Sequence, residues 1–417
     1  MVGITTSKAD LPQRGCLPGI CTRSSIIPYT IVTAVTAAVF APLYYGMAKG
    51  WLSSDIPGHA DILQNSLQTG RWPPHPGLHI LALALLGFPA SPSWKSLIIV
   101  LSGITLAALL AKHILAMRCL LSCGALIRED TPSQSEGDTT CGQPSVWRLA
   151  LLTMGLCLAG PIWSPEIGRG NFYYGKFSPN LWHNPTLILA WPLMILHFMA
   201  MLKYLAAPSR RRLFYVLLYE IFSTIIKPNY TIALCGALPL TLLLPGFRSR
   251  AWLKIVILQL LVAVLVLLPQ WVVLHAVDNS NVAVAPFAVV SRRSSFVPLT
   301  FLTSVAFPLT TAVALGGKAL SDRAFQLAGV LFLVAAGQAY LLVESAAGRS
   351  MLDGNWFWGA HGTLFLLFLG ALVVLCRTTF VERRRGPEII ACWSVFGLHV
   401  LSGMAWLTKY FLGYGYY

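Results

Sequence analysis

Charge is scarce in this chain. Only 11% of its 417 residues are Asp, Glu, Lys or Arg, against roughly 25% in a soluble globular domain, and just 15 are acidic. Water is therefore not the main solvent. Period-two alternation is also missing, as in 252–275, which excludes a transmembrane barrel. No 20–50-residue repeat is present, so neither a solenoid nor a transporter of repeated halves gains support. The nine cysteines include no Cys-x-x-Cys pair. Cys16, Cys21, Cys119, Cys123 and Cys141 fall in segments assigned to the inside; Cys157, Cys235, Cys376 and Cys392 lie in or at the ends of spans. No disulfide framework or zinc site follows from that pattern. Despite a net charge of +15, no Lys/Arg run with interleaved aromatics sits in a soluble domain, so nucleic acid is not a partner.

What is there is apolar. Hydrophobic residues make up 56% of the chain, and the mean hydropathy is +0.67. In lipid each spanning stretch must satisfy its own backbone hydrogen bonds, which leaves helices. The sequence predicts an all-α, polytopic transmembrane bundle of about eleven spans: 26–48, 95–117, 147–163, 186–206, 213–226, 231–245, 252–276, 298–316, 325–343, 359–375 and 389–406. Segment 78–89 is about a dozen residues long, too short to cross, and reads as a re-entrant or interfacial helix. Residues 1–25 are polar and 26–48 is too long for a signal-peptide core, so it is expected to remain as the first span. The stretch 129–145, rich in Ser, Thr, Gly and acids, reads as a flexible loop.

Basic residues set the orientation. If 78–89 does not cross, Arg118, Arg128, Arg210–Arg212, Arg248, Arg250, Lys318, Arg323, Arg377 and Arg383–Arg385 all fall on the N-terminal side, which the positive-inside rule makes cytoplasmic. The external segments are then 50–94, 164–185, 227–230, 277–297, 344–358 and 407–417.

Candidate chemistry gathers on that outer side. In 53–61, Asp55 and His59 are four apart, as are His75 and His79, so on a helix each pair shares a face. Asp55 is placed either to act as a general base at the membrane surface or to cap a helix beginning near Pro57; the two roles are compatible. Asp61 is a fallback base, and Arg71 belongs to the same loop. Loop 164–185 carries Glu166, Asn180, His183 and Asn184 among Trp and Tyr. An interfacial aromatic belt explains the rings but not the amides and the imidazole, which suit a hydroxyl-rich ligand. The neighbouring spans 213–226 and 231–245 are both short, so the turn holding Lys227, Asn229 and Tyr230 should lie below the outer surface in a recess. Lys227 there is a candidate anion ligand, against the alternative of snorkelling to lipid phosphates, and Glu220 a buried polar partner. Arg292 and Arg293 lie outside against the charge bias; bidentate binding of phosphate or pyrophosphate explains them, as does an ordinary solvated loop. Lys112, His113 and His197 read as satisfied polar groups inside the bundle. The sequon at Asn229 lies too near a span for glycosylation. Asp55, His59, Asp61 and His183 are also ligand types for a divalent cation, but such sets arise by coincidence. No metal is assigned and no cofactor is required, with a divalent cation left open.

This layout resembles the GT-C superfamily of membrane glycosyltransferases, which use sugars carried on polyprenyl phosphate or pyrophosphate. The matching features are a first span, a long external loop with an acid soon after it, and membrane-surface helices within that loop. The resemblance implies a catalytic module over 1–245, with loops 50–94 and 164–185, and a donor-lipid side over 246–417. It implies Asp55 as the base acting on the acceptor, cations Lys227, Arg292 and Arg293 at the lipid-linked phosphate, and a glycan or lipid acceptor outside the plasma (inner) membrane. The chain lacks a paired Asp-Glu or DxD in the first loop, a WWDYG-like motif and a soluble C-terminal domain. Those absences argue against protein O-mannosyltransferases and oligosaccharyltransferases. The alternatives are an O-antigen-like polysaccharide polymerase, and a transporter or flippase of lipid-linked sugars.

Overall fold

Eight helices in this computed structural model are long and apolar enough to cross a membrane: Tyr29–Ala48, Trp94–Leu121, Pro185–Ala206, Arg250–Leu274, Val297–Leu315, Arg323–Leu341, Phe357–Val381 and Pro387–Phe411. The structure describes residues 23–126, 146–164, 175–278, 280–294, 296–346, 349–351 and 354–414. Glu166 and the 129–145 loop lie outside the described residues.

The helices, in order, are α1 (Arg23–Ala48), α2 (Ile56–Thr69), α3 (Gly77–Leu85), α4 (Trp94–Leu126), α5 (Val146–Leu158), α6 (Pro185–Ala206), α7 (Arg210–Ile226), α8 (Asn229–Thr241), α9 (Arg250–Asp278), α10 (Ala288–Ser291), α11 (Val297–Leu315), α12 (Gly317–Ser321), α13 (Arg323–Leu341), α14 (Phe357–Cys376) and α15 (Pro387–Phe411). α14 is central, with nearly every side chain buried. α9 is peripheral: Leu253, Ile257, Leu261, Leu265 and Leu268, spaced three or four apart, form an exposed apolar stripe facing lipid. Cys119, Cys157, Cys235, Cys376 and Cys392 form no disulfide.

Two expected spans are shorter than predicted, α5 and α8 with 13 residues each, while α7, with 17, starts three residues before the predicted 213–226. Thirteen residues rise about 20 Å, against a hydrocarbon core of about 30 Å. The span expected at 147–163 ends at Leu158 because Gly160-Pro161 follows, and a residue before proline is pushed out of the helical region. Beyond it the chain runs extended against α11 and α15. Gly160 N donates to His399 O at 2.9 Å, Ile162 N to Thr303 O at 2.9 Å, and Trp163 N to Ser402 Oγ at 2.9 Å. Gly403 permits this approach, since a Cβ there would lie 1.8 Å from Leu158 O. Unwound backbone at such depth survives only when protein supplies its partners.

The chain is mostly helical, as the all-α expectation has it, with one small sheet added. Segments 277–297 and 344–358 contribute β1 (Ser280–Val284), β2 (Leu342–Ala346) and β3 (Arg349–Met351), an antiparallel sheet in the order β1-β2-β3. β1 and β2 pair Val282 with Glu344. Their β-branched residues favour the pleat, but partners some 60 positions apart leave no local signal.

Contacts sort the polar residues to two ends. One end holds Arg377 paired with Asp322 at 3.0 Å and Lys318 paired with Glu382. The other holds the α2–α3 cover, the sheet and the starts of α6, α8 and α14.

Candidate functional site

Ser53-Ser54-Asp55-Ile56-Pro57 stops one chain direction and starts another. Asp55 takes the N-cap position of α2 and Pro57 its first turn, but the carboxylate makes no capping bond. Its Oδ2 accepts from Asn184 Nδ2 at 2.8 Å, and its backbone N donates to His183 O at 3.1 Å. Asn184 is itself the N-cap of α6: its Oδ1 accepts from Leu187 N at 2.9 Å and from Thr186 Oγ1 at 2.9 Å. The Tyr410 hydroxyl, from α15, donates to Ser53 O and closes the far side.

Three histidines complete a recess. His59 and His79 share a hydrogen bond, Nδ1 to Nε2 at 3.3 Å, and His75 lies close enough to sense both His79 and Lys227. α3 presses directly on the end of α7: a Cβ on Gly77 would come within 2.7 Å of Ile226 and 3.1 Å of Ile225 O, so only glycine fits. This packing buries Lys227 at the end of α7, as its two short neighbours predict. Lys227 Nζ lies 5.0 Å from the centre of the Trp358 ring.

The electrostatics follow from burial. Desolvation pushes the Asp55 carboxyl above the usual carboxylate range, against the opposing pulls of the Asn184 bond and the Lys227 charge. Desolvation lowers Lys227 to about 8, with Asp55 and Glu344 resisting. Burial, then neighbouring positive charge, holds His59 at about 3 and His75 at about 3. His79 falls to about 4 through burial, with His59 resisting. The histidines are therefore neutral at pH 7, able to donate at one nitrogen and accept at the other.

Residues 175–184, the part of loop 164–185 that begins after the undescribed residues 165–174, are buried and form neither helix nor strand. Phe177 N donates to Ser304 Oγ at 3.0 Å and Ser178 N to His361 Nδ1 at 2.9 Å. Asn180 is the foot of this segment. Its Oδ1 accepts from Lys112 Nζ at 2.6 Å, and its Nδ2 donates to Leu156 O at 2.7 Å and Ala159 O at 2.8 Å. Asn180 is thus fully engaged by the protein and does not face the recess. Lys112 sits between the rings of Trp191 at 3.2 Å and Phe365 at 3.9 Å.

The structure brings together Asp55, His59, His75, His79, Asn184 and Lys227, with His183 behind them against Trp358 at 6.1 Å between ring centres. It leaves others apart. Asp61 is exposed and accepts from Trp94 Nε1 at 2.9 Å, tying α2 to α4. Arg71 is exposed on the loop after α2. Tyr230 points into the bundle, its hydroxyl 2.9 Å from His197 Nδ1, because α8 has already turned inward there. Asn229 donates to Asn355 O at 3.0 Å and fastens the turn to α14. Arg292 is exposed, whereas Arg293 lines a cleft with Gly175, Lys176, Gly354, Phe357, Trp358 and His361. His113 also departs from expectation, since neither ring nitrogen has a hydrogen-bond partner among the described residues.

Sequence reasoning did not single out Lys176, Trp358 or His361. A usable signal existed for His361, an ionisable residue inside an apolar span. Among the described residues, no group of three or more His, Cys, Asp or Glu is arranged to hold a metal ion. No protein-family model matches the chain, and no curated protein matches it in sequence.

Proposed function

We propose that the protein is a membrane glycosyltransferase of GT-C type. It moves a sugar from a polyprenyl-(pyro)phosphate carrier to a glycan or lipid acceptor on the non-cytoplasmic face of the plasma (inner) membrane. One observation carries this reading: Asp55 occupies a helix cap without capping, and is held instead by Asn184 beside Lys227 in a recess lined by neutral histidines.

In this mechanism Asp55 takes the proton from an acceptor hydroxyl as that oxygen attacks the anomeric carbon. The bond from that carbon to the phosphate oxygen breaks, and its electron pair leaves with the carrier phosphate. That leaving group needs no acid catalyst, so one carboxylate suffices where glycosidases use two. Lys227 and Arg293 offset the charge of the carrier, and His59, His75 and His79 bond acceptor hydroxyls. Asp61, engaged with Trp94, is disfavoured as the base. The concentration of Arg and Lys at the opposite end supports a cytoplasmic N-terminus.

A polysaccharide polymerase would use the same steps. The second reading from another class, a flippase of lipid-linked sugars, draws support from the unwound chain after α5 and from Lys112 deep in the bundle. Vesicles containing the purified protein separate them. Label passing from a lipid-linked sugar to an acceptor supports the transferase; label crossing the bilayer still on its carrier refutes it.

A further inference from the structure

Two asparagines hold two carboxylates near Lys227. Asn184 holds Asp55 at 2.8 Å, and Asn355, just before α14, donates from Nδ2 to Glu344 Oε2 at 2.7 Å. Glu344 lies on β2, the central strand of the sheet, opposite Val282 of β1 and Met351 of β3. Its backbone is thereby placed by strands on both sides and its carboxylate by an amide, which fixes the charge in one position.

Asn355 also anchors the rest of the surroundings of Lys227. Its backbone O accepts from Asn229 Nδ2 at 3.0 Å and so fixes the turn that follows Lys227. Its Oδ1 accepts from Trp358 Nε1 at 3.4 Å, and the centre of the Trp358 ring lies 5.0 Å from Lys227 Nζ. Turn, ring and carboxylate are therefore set relative to one another through a single residue. Burial makes the charge of Lys227 depend on these neighbours, because an ammonium removed from water gives up its proton more readily unless negative charge lies close by. Among the described residues, the titratable groups that bear on it are Asp55 and Glu344, which favour the charged form, and His59 and His75, which are neutral at pH 7.

In the proposed reaction Asp55 takes up a proton, so its charge disappears as the leaving phosphate gains its own. Glu344 takes no part in that transfer. We infer that Glu344, held by Asn355, is a positioning residue that keeps the Lys227 ammonium charged and in place through the step in which Asp55 becomes neutral. This inference rests on the donor role proposed above for Lys227 and adds the group that sustains it.

The test reads Lys227 directly and needs no sugar. Full-length protein purified in detergent is treated with acetic anhydride over a series of pH values, and acetylation of Lys227, which requires the uncharged amine, is followed by mass spectrometry. The wild-type midpoint should lie near pH 8. Glu344→Gln keeps an oxygen for the Asn355 amide and removes the charge, so the midpoint should fall by about one pH unit, the lower end of the effect of a nearby opposite charge. Asn355→Ala should move it in the same direction, and the double variant no further than Glu344→Gln alone, because the amide acts through the carboxylate. Asp55→Asn reproduces the neutral state of Asp55. Lys227 should resist acetylation at pH 7 in that variant and react several-fold faster once Glu344→Gln is added. An unmoved midpoint in Glu344→Gln, whatever happens to its melting temperature, marks a merely structural role and overturns the inference; Glu344→Gln decides even where Asn355→Ala does not fold. If the midpoint falls as expected and no lipid-linked sugar binds or reacts, the transferase reading fails while the hold of Glu344 on Lys227 stands.

Discussion

Asn184 and Asp55, 129 residues apart, are joined by a 2.8 Å hydrogen bond that couples the start of α6 to the start of α2. One amide does both jobs: its oxygen caps α6 and its nitrogen holds the carboxylate. Asp55 is thereby fixed by a group whose own position is set by a helix, which is how a catalytic carboxylate is kept in one orientation.

Asn184→Ser separates the two jobs. Serine caps a helix about as well as asparagine, so the melting temperature should change little. The shorter side chain no longer reaches Asp55, and the bond that pulls the carboxyl pKa down is lost. The acidic limb of the pH–rate profile should therefore move to higher pH. An unshifted limb refutes the coupling.

The membrane helices were legible because hydropathy is local: each long apolar run is a helix whatever surrounds it. The burial of Lys227 was legible for a similar reason, since it stands between two helices of 17 and 13 residues. The buried segment 175–184 was not. Its Gly, Pro and Asn residues read as a surface loop, and what permits burial is far away, with Ser178 bonded to His361 183 positions on and Asn180 to Lys112 68 positions back. Asn180 and Asn184, four residues apart, looked alike in sequence. Only their partners divide them, one fastening the bundle and the other holding Asp55.

Lys227 should act as a cation only while protonated. Its pKa is lowered to about 8, so donor affinity should hold at pH 7 and weaken as pH rises through about 8. Lys227→Met should weaken donor binding by about 10- to 150-fold at pH 7, the range for one charge-assisted bond, and remove the pH dependence. Titrating wild type and variant with a lipid-linked sugar between pH 6.5 and 9.5 checks both; an affinity flat across that range in the wild type excludes Lys227 from the donor site.

Stability should fall in acid, and the histidines set where. His59 and His75 titrate at about 3 and His79 at about 4 in the folded protein, against about 6.5 in an unfolded chain. Folded values below the unfolded ones mean that their contribution is complete above about pH 6.5 and is lost progressively as pH drops toward about 3, because the unfolded state takes up protons first. The melting temperature should decline across that window. His79→Gln, which removes one titrating group from the pair with His59, should make the decline shallower. An identical slope would show that other groups control it.

Asp55→Asn is the decisive substitution for the transferase. Asparagine is nearly isosteric and is itself a good cap residue, yet Asp55 makes no capping bond, so neither the fold nor α2 should suffer. What disappears is the proton acceptor. General-base assistance is typically worth about 10²–10⁴-fold, and turnover should fall by that order while donor affinity, which depends on Lys227 and Arg293, stays within a few-fold. A fall in turnover with unchanged affinity is the signature of an interaction made only in the transition state. Substitution of Asp61, which is engaged with Trp94 at the exposed face of α2, should leave turnover near normal. If Asp55→Asn membranes transfer sugar at the wild-type rate, the carboxylate is not the base. The recess of neutral histidines around it would then have to be read as a binding chamber only, as a carrier of lipid-linked sugars would need.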